Sequence, residues 1–385
     1  PLFLQRTATA AESTSANSDN ILIVLQLSGG NDGLNTVVPY SHDEYGRNRR
    51  TLRLAEKEVL KLDDQLGFHP QMPKFRELLD DGHLTIVQGV GYANSDRNHD
   101  TALRDWHTAR PGEIECQTGW VGRFADAAGQ LDKTDVPGVL VSNIPKPFAL
   151  NAEKSVVPAI ATTNQWTFQA SEPTHVARGS TSSDAGESLL DVARSSTFAA
   201  EKLSEKVENV LATASTPATY PRFTLAGQLR TVAQLIRADV GVRIYFTELG
   251  GGGIGGFDNH ANQRDNHAAL LRELSESIAA LINDLKQDGL HRRVALMTFS
   301  EFGRTLSENG RRGTGHGAAA PVFLAGGSLQ PGLYGDHPNL TDLEGDAPKH
   351  HTDFRQVYAT MMDRWLGIDS QLVLGKTYQP LDVFA

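Results

Sequence analysis

Five side chains, far apart along the chain, are of the types that hold divalent cations: Asp32, Asp258, His260, Glu301 and His316. Carboxylate and imidazole together suit Zn²⁺, Mn²⁺ or similar ions. One such ion polarises an ester oxygen and activates a nucleophile, and two ions close together can clamp both sides of an in-line displacement. Each candidate lies in a short motif. Asp32 sits in Gly29-Gly-Asn-Asp-Gly33, and Asp258 and His260 in Phe257-Asp-Asn-His260. Glu301 lies in Ser300-Glu-Phe-Gly-Arg304, and His316 in Gly313-Thr-Gly-His-Gly317. Two carboxylates about 4 Å apart repel by about 4 kcal/mol at an effective dielectric of 20. A cluster of them therefore needs raised pKa values or a cation. The plainer reading is that Asp32 and Glu301 cap helices and the histidines are ordinary loop residues. Residue type alone leaves both open.

The elements around these motifs favour convergence. Ile21–Leu27 is a continuous apolar run, as a strand buried on both faces requires. Further strand candidates are Leu84–Val90, Val139–Val141, Val242–Thr247, Val294–Phe299 and Pro321–Leu324. Helical stretches alternate with them. The clearest runs from Asn262 to Asp288, where Leu270, Leu274, Ile278, Leu281 and Leu285 form one stripe, and Gly289 supplies a stop. This alternation predicts an α/β fold, a three-layer sandwich with a mostly parallel central sheet. Ligands in such sheets collect at the carboxyl ends of the strands. Asp32, Asp258, His260 and Glu301 all follow strand candidates, and His316 lies just before the Pro321 run. Residues 21–385 read as one domain. Its segment 171–219, with a helical stretch near 187–211, reads as a helical insertion or cap.

Other signals are weaker. Asn98-His-Asp-Thr101 follows the Leu84 strand and offers His99, Asp100 and the Thr101 hydroxyl, although a helix N-cap explains it almost as well. The glycines between 250 and 256 precede no Lys-Ser/Thr and read as a hinge or rim loop. Trp106-His107 reads as packing, and Arg47-Asn-Arg-Arg50 as a solvated turn. Asp336-His337 and His350-His351 read as groups of the rim. The net charge of −10 argues against a nucleic-acid partner. No run of 18 apolar residues is present, so no integral membrane segment is expected. Residues 1–20 look like the remnant of an export signal and a flexible lead, with an apolar start and Ala8-x-Ala10. Oligomeric state is not legible.

Longer stretches carry a resemblance. Leu25–Tyr40, Phe257–Gln263, Met297–Thr305, Gly313–Gly317, Gly332–Gly335 and Asp353–Thr360 resemble the DUF1501 family, across roughly Ile21–Gly367. That family is similar to the alkaline phosphatase and sulfatase superfamily. The resemblance implies an alkaline-phosphatase-like α/β fold with one or two divalent metals, Zn or Mn first. It also implies export to the periplasm or beyond, often by the twin-arginine route. It assigns Asp32 as the first-strand ligand, Asp258 and His260 to a second position, and His316 as the last histidine ligand. Glu301 stands where the superfamily has an Asp followed by His, and here Phe302 follows. The segment like Arg-Ser-His-Phe is Arg97-Asn-His-Asp100, and Gly315 replaces an Asp. Asn98 cannot act as a hydroxyl nucleophile, which leaves Thr101, Thr36 or an activated water. Two functions compete. One is an exported, metal-dependent hydrolase of small phosphate or sulfate esters, with Arg304 on an anionic oxygen and His99 as general acid or orienting group. The other is a non-catalytic binding or structural protein with a degenerate metal site.

Overall fold

A computed structural model describes residues 19–131, 137–160, 207, 209–210, 216, 218–251 and 256–385. The expected insertion at 171–219 falls almost wholly outside these residues, as do the expected leader at 1–18 and most of the glycine-rich loop.

The central sheet has nine strands. In chain order they are β1 (Ile21–Leu27), β2 (Leu84–Gly91), β3 (Gly138–Val141), β4 (Ala159–Ile160), β5 (Ile244–Leu249), β6 (Val294–Phe299), β7 (Ala320–Gly326), β8 (Gly332–Tyr334) and β9 (Thr352–Asp353). The spatial order is β8-β2-β7-β6-β1-β5-β3-β4, with β9 also on β2. β1 pairs in parallel with both β5 and β6. Only β7 runs against its neighbours, β2 and β6. The sheet is therefore mostly parallel, as expected.

Every residue of β1 is buried, and its alternation assigns the two outer layers. Ile23 and Leu25 pack with helices α1 (Pro73–Asp80), α4 (Thr224–Arg237) and α5 (Gln263–Gln287), through Phe75, Leu229 and Leu274. Leu22 and Val24 face α2 (His99–Thr108), α3 (Trp120–Leu131) and α6 (Phe354–Ala359), through Trp106, Phe124 and Tyr358. A fully buried side chain of this kind contributes about 1.5–3 kcal/mol. The sheet is thus a stiff platform for the loops at its edge. Trp106 stacks on Phe354 with centroids 4.3 Å apart, in the packing role expected of it. No helix among the described residues is long and apolar enough to cross a membrane.

Two departures affect the site. The long helix lies one residue inside each expected end, and Asn262 takes the left-handed N-cap position at φ 45°. The stretch after β6, to which the sequence reading assigns no strand, forms an antiparallel ribbon in which Arg304–Glu308 pairs with Thr314–His316. The reversal of β7 explains why His316 lies at the same edge as the other candidate ligands. The carboxyl ends of β1, β2, β5 and β6 lie where β7 begins, so a residue just before β7 meets residues just after the others.

Candidate metal centre

Gly29 and Gly30 turn the chain sharply as it leaves β1, at φ 108° and 82°. Both positions require glycine. A Cβ on Gly29 would lie 2.5 Å from the Asp258 amide nitrogen, and one on Gly30 would run into the Phe302 ring. This close approach brings the loops after β1, β5 and β6 together. Asn98 caps α2, its side chain accepting from the amides of Asp100 and Thr101. The cap sets His99 at the first position of the helix, facing the same loops.

Four side chains meet there. Asp258 Oδ1 lies 2.9 Å from His260 Nε2 and 3.2 Å from His316 Nε2, and Oδ2 lies 3.4 Å from His99 Nε2. The Nε2 atoms of His260 and His316 are 2.8 Å apart. Ligand atoms of His99, Asp258 and His316 all fall within 4.8 Å of one another. The outer nitrogens settle the tautomers. His316 Nδ1 donates to the Arg97 carbonyl at 2.6 Å, and His99 Nδ1 donates to Glu301 Oε1 at 3.0 Å. In the neutral rings both Nε2 atoms therefore carry lone pairs toward Asp258. His99 Nε2 is buried and has no hydrogen-bond partner. A bare buried imidazole nitrogen beside a carboxylate and further imidazoles is the donor set a Zn²⁺ or Mn²⁺ ion takes. Phe302 walls one side, stacked on His316 at 4.5 Å and 4.9 Å from His99.

The charges are graded. Burial pushes the Asp258 carboxyl up, but the Arg304 hydrogen bond and charge outweigh it and hold the pKa below the usual range. The Glu301 hydrogen bond raises the His99 pKa against the effect of burial. Burial lowers that of His260, with Asp258 opposing.

Several expected residues take other roles. Asp32 does not join the cluster. Arg49 grips it at 2.5 and 2.9 Å, and Gln263 Nε2 donates to it as well. Burial raises the Asp32 pKa, but the Arg49 charge and hydrogen bonds bring it below the carboxylate norm. Glu301 stands behind His99, and its Oε1 also accepts from the Gly29 amide at 2.8 Å. It orients an imidazole and is not itself one of the three grouped donors. Arg304 is fully buried and is no free anion holder. Its guanidinium donates to the carbonyls of Gly29, Gly30, Phe257 and Thr314, and to Asp258 Oδ1 at 2.7 Å. Thr101 is exposed beside the Asn98 cap, and Thr36 is buried with its hydroxyl on Asn31 and the Asp32 carbonyl. A side chain at Gly315 would point at Thr305, so the glycine there removes no donor from the His316 side. His350 and His351 pack over Gly91 and Gly89 of β2.

The residue the sequence concealed is Arg49. It lies in the basic run expected to be a solvated turn, yet its side chain is 0% exposed. Only the apolar Tyr45, Leu52 and Leu54 around it hint at burial. Gln263 ends the Phe257–Gln263 motif but drew no role, because an amide is not a typical ligand.

The family model described as "Protein of unknown function (DUF1501)" matches residues 19–380. No curated protein matches the chain. Solved structures similar to it include the PsFucS1 sulfatase from Pseudoalteromonas sp., at 10% identity and TM-score 0.42, over 98% of this chain and 74% of that one. The lipoteichoic acid synthase LtaP from Listeria monocytogenes is similar at 9% identity and TM-score 0.43, over 97% and 78%. A protein in the alkaline phosphatase superfamily from Vibrio parahaemolyticus is similar at 9% identity and TM-score 0.41, over 93% and 70%.

Proposed function

The chain belongs to the DUF1501 family, and we propose that it is a metal-dependent hydrolase of small phosphate or sulfate esters, acting outside the cytoplasm. The observation that carries this reading is the bare, buried His99 Nε2, which faces Asp258 beside His316. His99, Asp258 and His316 would hold a divalent cation, Zn or Mn, with His260 alongside. Such an ion supplies Lewis-acid polarisation of an ester oxygen and generates a nucleophile from water at neutral pH. The chain's own groups do the rest. Arg304 fixes Asp258, and Glu301 fixes the tautomer and direction of His99. Phe302 keeps water from one wall. His260, 37% exposed and held neutral by burial, is the ring placed to exchange a proton with an ester at the open side. Of the hydroxyls considered among the described residues none takes the nucleophile's place, since Asn98 caps a helix, Thr36 is buried and bonded, and Thr101 stands apart. Direct attack by water, without a covalent enzyme intermediate, follows from that. Ala8-x-Ala10 supports export.

The missing hydroxyl nucleophile is also what favours the second reading, a binding protein without turnover. The test is metal analysis of tag-free protein, followed by a panel of aryl phosphates, phosphodiesters and aryl sulfates. Bound metal with turnover of one ester class, both lost in Asp258→Ala and His316→Ala, is the expected result. Bound metal with no turnover on any member would select the binding protein.

A further inference from the structure

The geometry points to a centre for one divalent cation and not two, because the guanidinium of Arg49 stands as a built-in cation where a second ion would need Asp32. This inference rests on the metal-centre reading above and concerns its stoichiometry.

Asp32 is 2% exposed and Arg49 0%. Arg49 Nη1 donates to Asp32 Oδ2 at 2.5 Å and to Asn35 Oδ1 at 2.8 Å. Nη2 donates to Asp32 Oδ1 at 2.9 Å and to the Thr305 carbonyl at 2.8 Å, and Nε to the Leu306 carbonyl at 3.0 Å. All five N–H groups of the guanidinium are thus used. The charge is permanent, so no change of pH in the working range frees the carboxylate.

The groups around Asp32 are committed as well. Gln263 donates to Asp32 and accepts from the Thr314 hydroxyl. Asn31 Oδ1 accepts from the Thr36 hydroxyl, so the His267 nitrogen 3.0 Å from it is an N–H and not a lone pair. The one atom there without a partner is Asn31 Nδ2, a donor, which does not ligate cations. The neighbouring cluster differs on this point, since its orphan is an imidazole nitrogen. Nor does charge call for a second dication. Asp32 has Arg49 and Asp258 has Arg304, while Glu301 accepts from the His99 Nδ1–H and the Gly29 amide. A second ion would face two buried guanidinium groups.

The decisive measurement is the count of ¹¹³Cd²⁺ bound per unaltered chain, by equilibrium dialysis and elemental analysis, with ¹¹³Cd NMR on the same sample. One ion and one resonance are expected. His316→Ala should weaken that binding by at least roughly 100-fold, since even partners that only orient ligands are worth about 10–100-fold. Asp32→Asn should keep one ion at unchanged affinity. Two ions per chain overturn the inference and leave the metal-centre reading standing, and so does loss of the ion from a folded Asp32→Asn protein. No bound ion removes the metal-centre reading and this inference with it. Should Asp32→Asn fail to fold, the count on the unaltered chain decides alone.

Discussion

Asp32 and Asp258 stand at the same edge of the sheet, in loops that follow β1 and β5, and each meets a fully buried arginine. Their fates differ. Arg49 takes both oxygens of Asp32 and closes it off. Arg304 spends Nε and Nη1 on the carbonyls of Gly30 and Thr314, and its Nη2 is shared between Asp258 Oδ1 and the carbonyls of Gly29 and Phe257. Asp258 stays 41% exposed, with three imidazole nitrogens around it. The lesson concerns lone pairs. A carboxylate at a sheet edge serves a ligand only if the protein has left some of its acceptor capacity unspent.

The largest expected effect tests the closed half. Arg49→Met leaves Asp32 buried without a counter-charge, and breaking a buried pair in this way costs about 3–5 kcal/mol. Urea unfolding at pH 7 should show that loss. The pH dependence carries a sign. Asp32 has a folded pKa below its ordinary value of 3.8. Its contribution is therefore present above that value and lost as pH falls through the lower, folded one. Without Arg49, burial pushes the Asp32 carboxyl of the variant up, so the variant regains stability as pH falls, and the gap should be widest near neutral pH and narrow steadily toward acid. A gap under about 1 kcal/mol at pH 7 would mean that Arg49 is no partner to Asp32 but a side chain on the surface, where such pairs are worth little.

The next effect sharpens the open half. Glu301→Gln keeps the shape behind His99 but replaces a charged acceptor with an amide. If Glu301 only orients His99, divalent-ion affinity by calorimetry should fall about 10–100-fold and remain measurable. The ¹⁵N signal of the His99 Nδ1–H should shift with it. Abolition of binding would instead make Glu301 a direct ligand, which is the role its position in the sequence suggests.

The contrast between the halves also explains what could be read from the chain. The strands at Ile21–Leu27 and Val294–Phe299 were legible to the residue, because runs buried on both faces leave no polar gaps. The stripe of Leu270, Leu274 and Ile278 was legible because one buried helix face repeats its apolar residues every three or four positions. The motifs after the strands put His99, Asp258 and His260 at one edge, since connectivity forces it, whereas His316 joins them only because β7 is reversed. Direction and partnership were not legible. Nothing in Ala320–Gly326 states that it runs against its neighbours. Nothing in Arg47–Arg50 says which of three arginines turns inward. For Asp32, Glu301 and Arg304 the residue was legible but its partners were not, because those partners come from distant segments.

A third carboxylate completes the series, and it has no cation. Glu248, near the end of β5, is 5% exposed. Its Oε1 is buried without a partner, and Ser28 and the Gly251 amide beside the carboxyl act to lower its pKa. The bonds leading there run one way. His107 donates to Gln26 Oε1 at 2.7 Å, and Gln26 Nε2 donates to the Ser28 hydroxyl at 2.7 Å. Burial lowers the His107 pKa to about 3, so that ring supplies no charge. Burial pushes the Glu248 carboxyl up, and its hydrogen bonds offset this only in part. An acid with a raised folded pKa stabilises the fold below its ordinary pKa and loses that contribution as pH rises toward the folded value. The parent should therefore lose stability upward from about pH 4.5, its ordinary value. Glu248→Gln puts a neutral amide of the same shape in place of the acid, so this contribution to the pH dependence should be absent over the same span. The two unfolding curves should diverge by about 1 kcal/mol at most, an ordinary size for a single substitution. Parallel curves would show that Glu248 has found a counter-charge after all, and would group it with Asp32 among the carboxylates the protein has already neutralised.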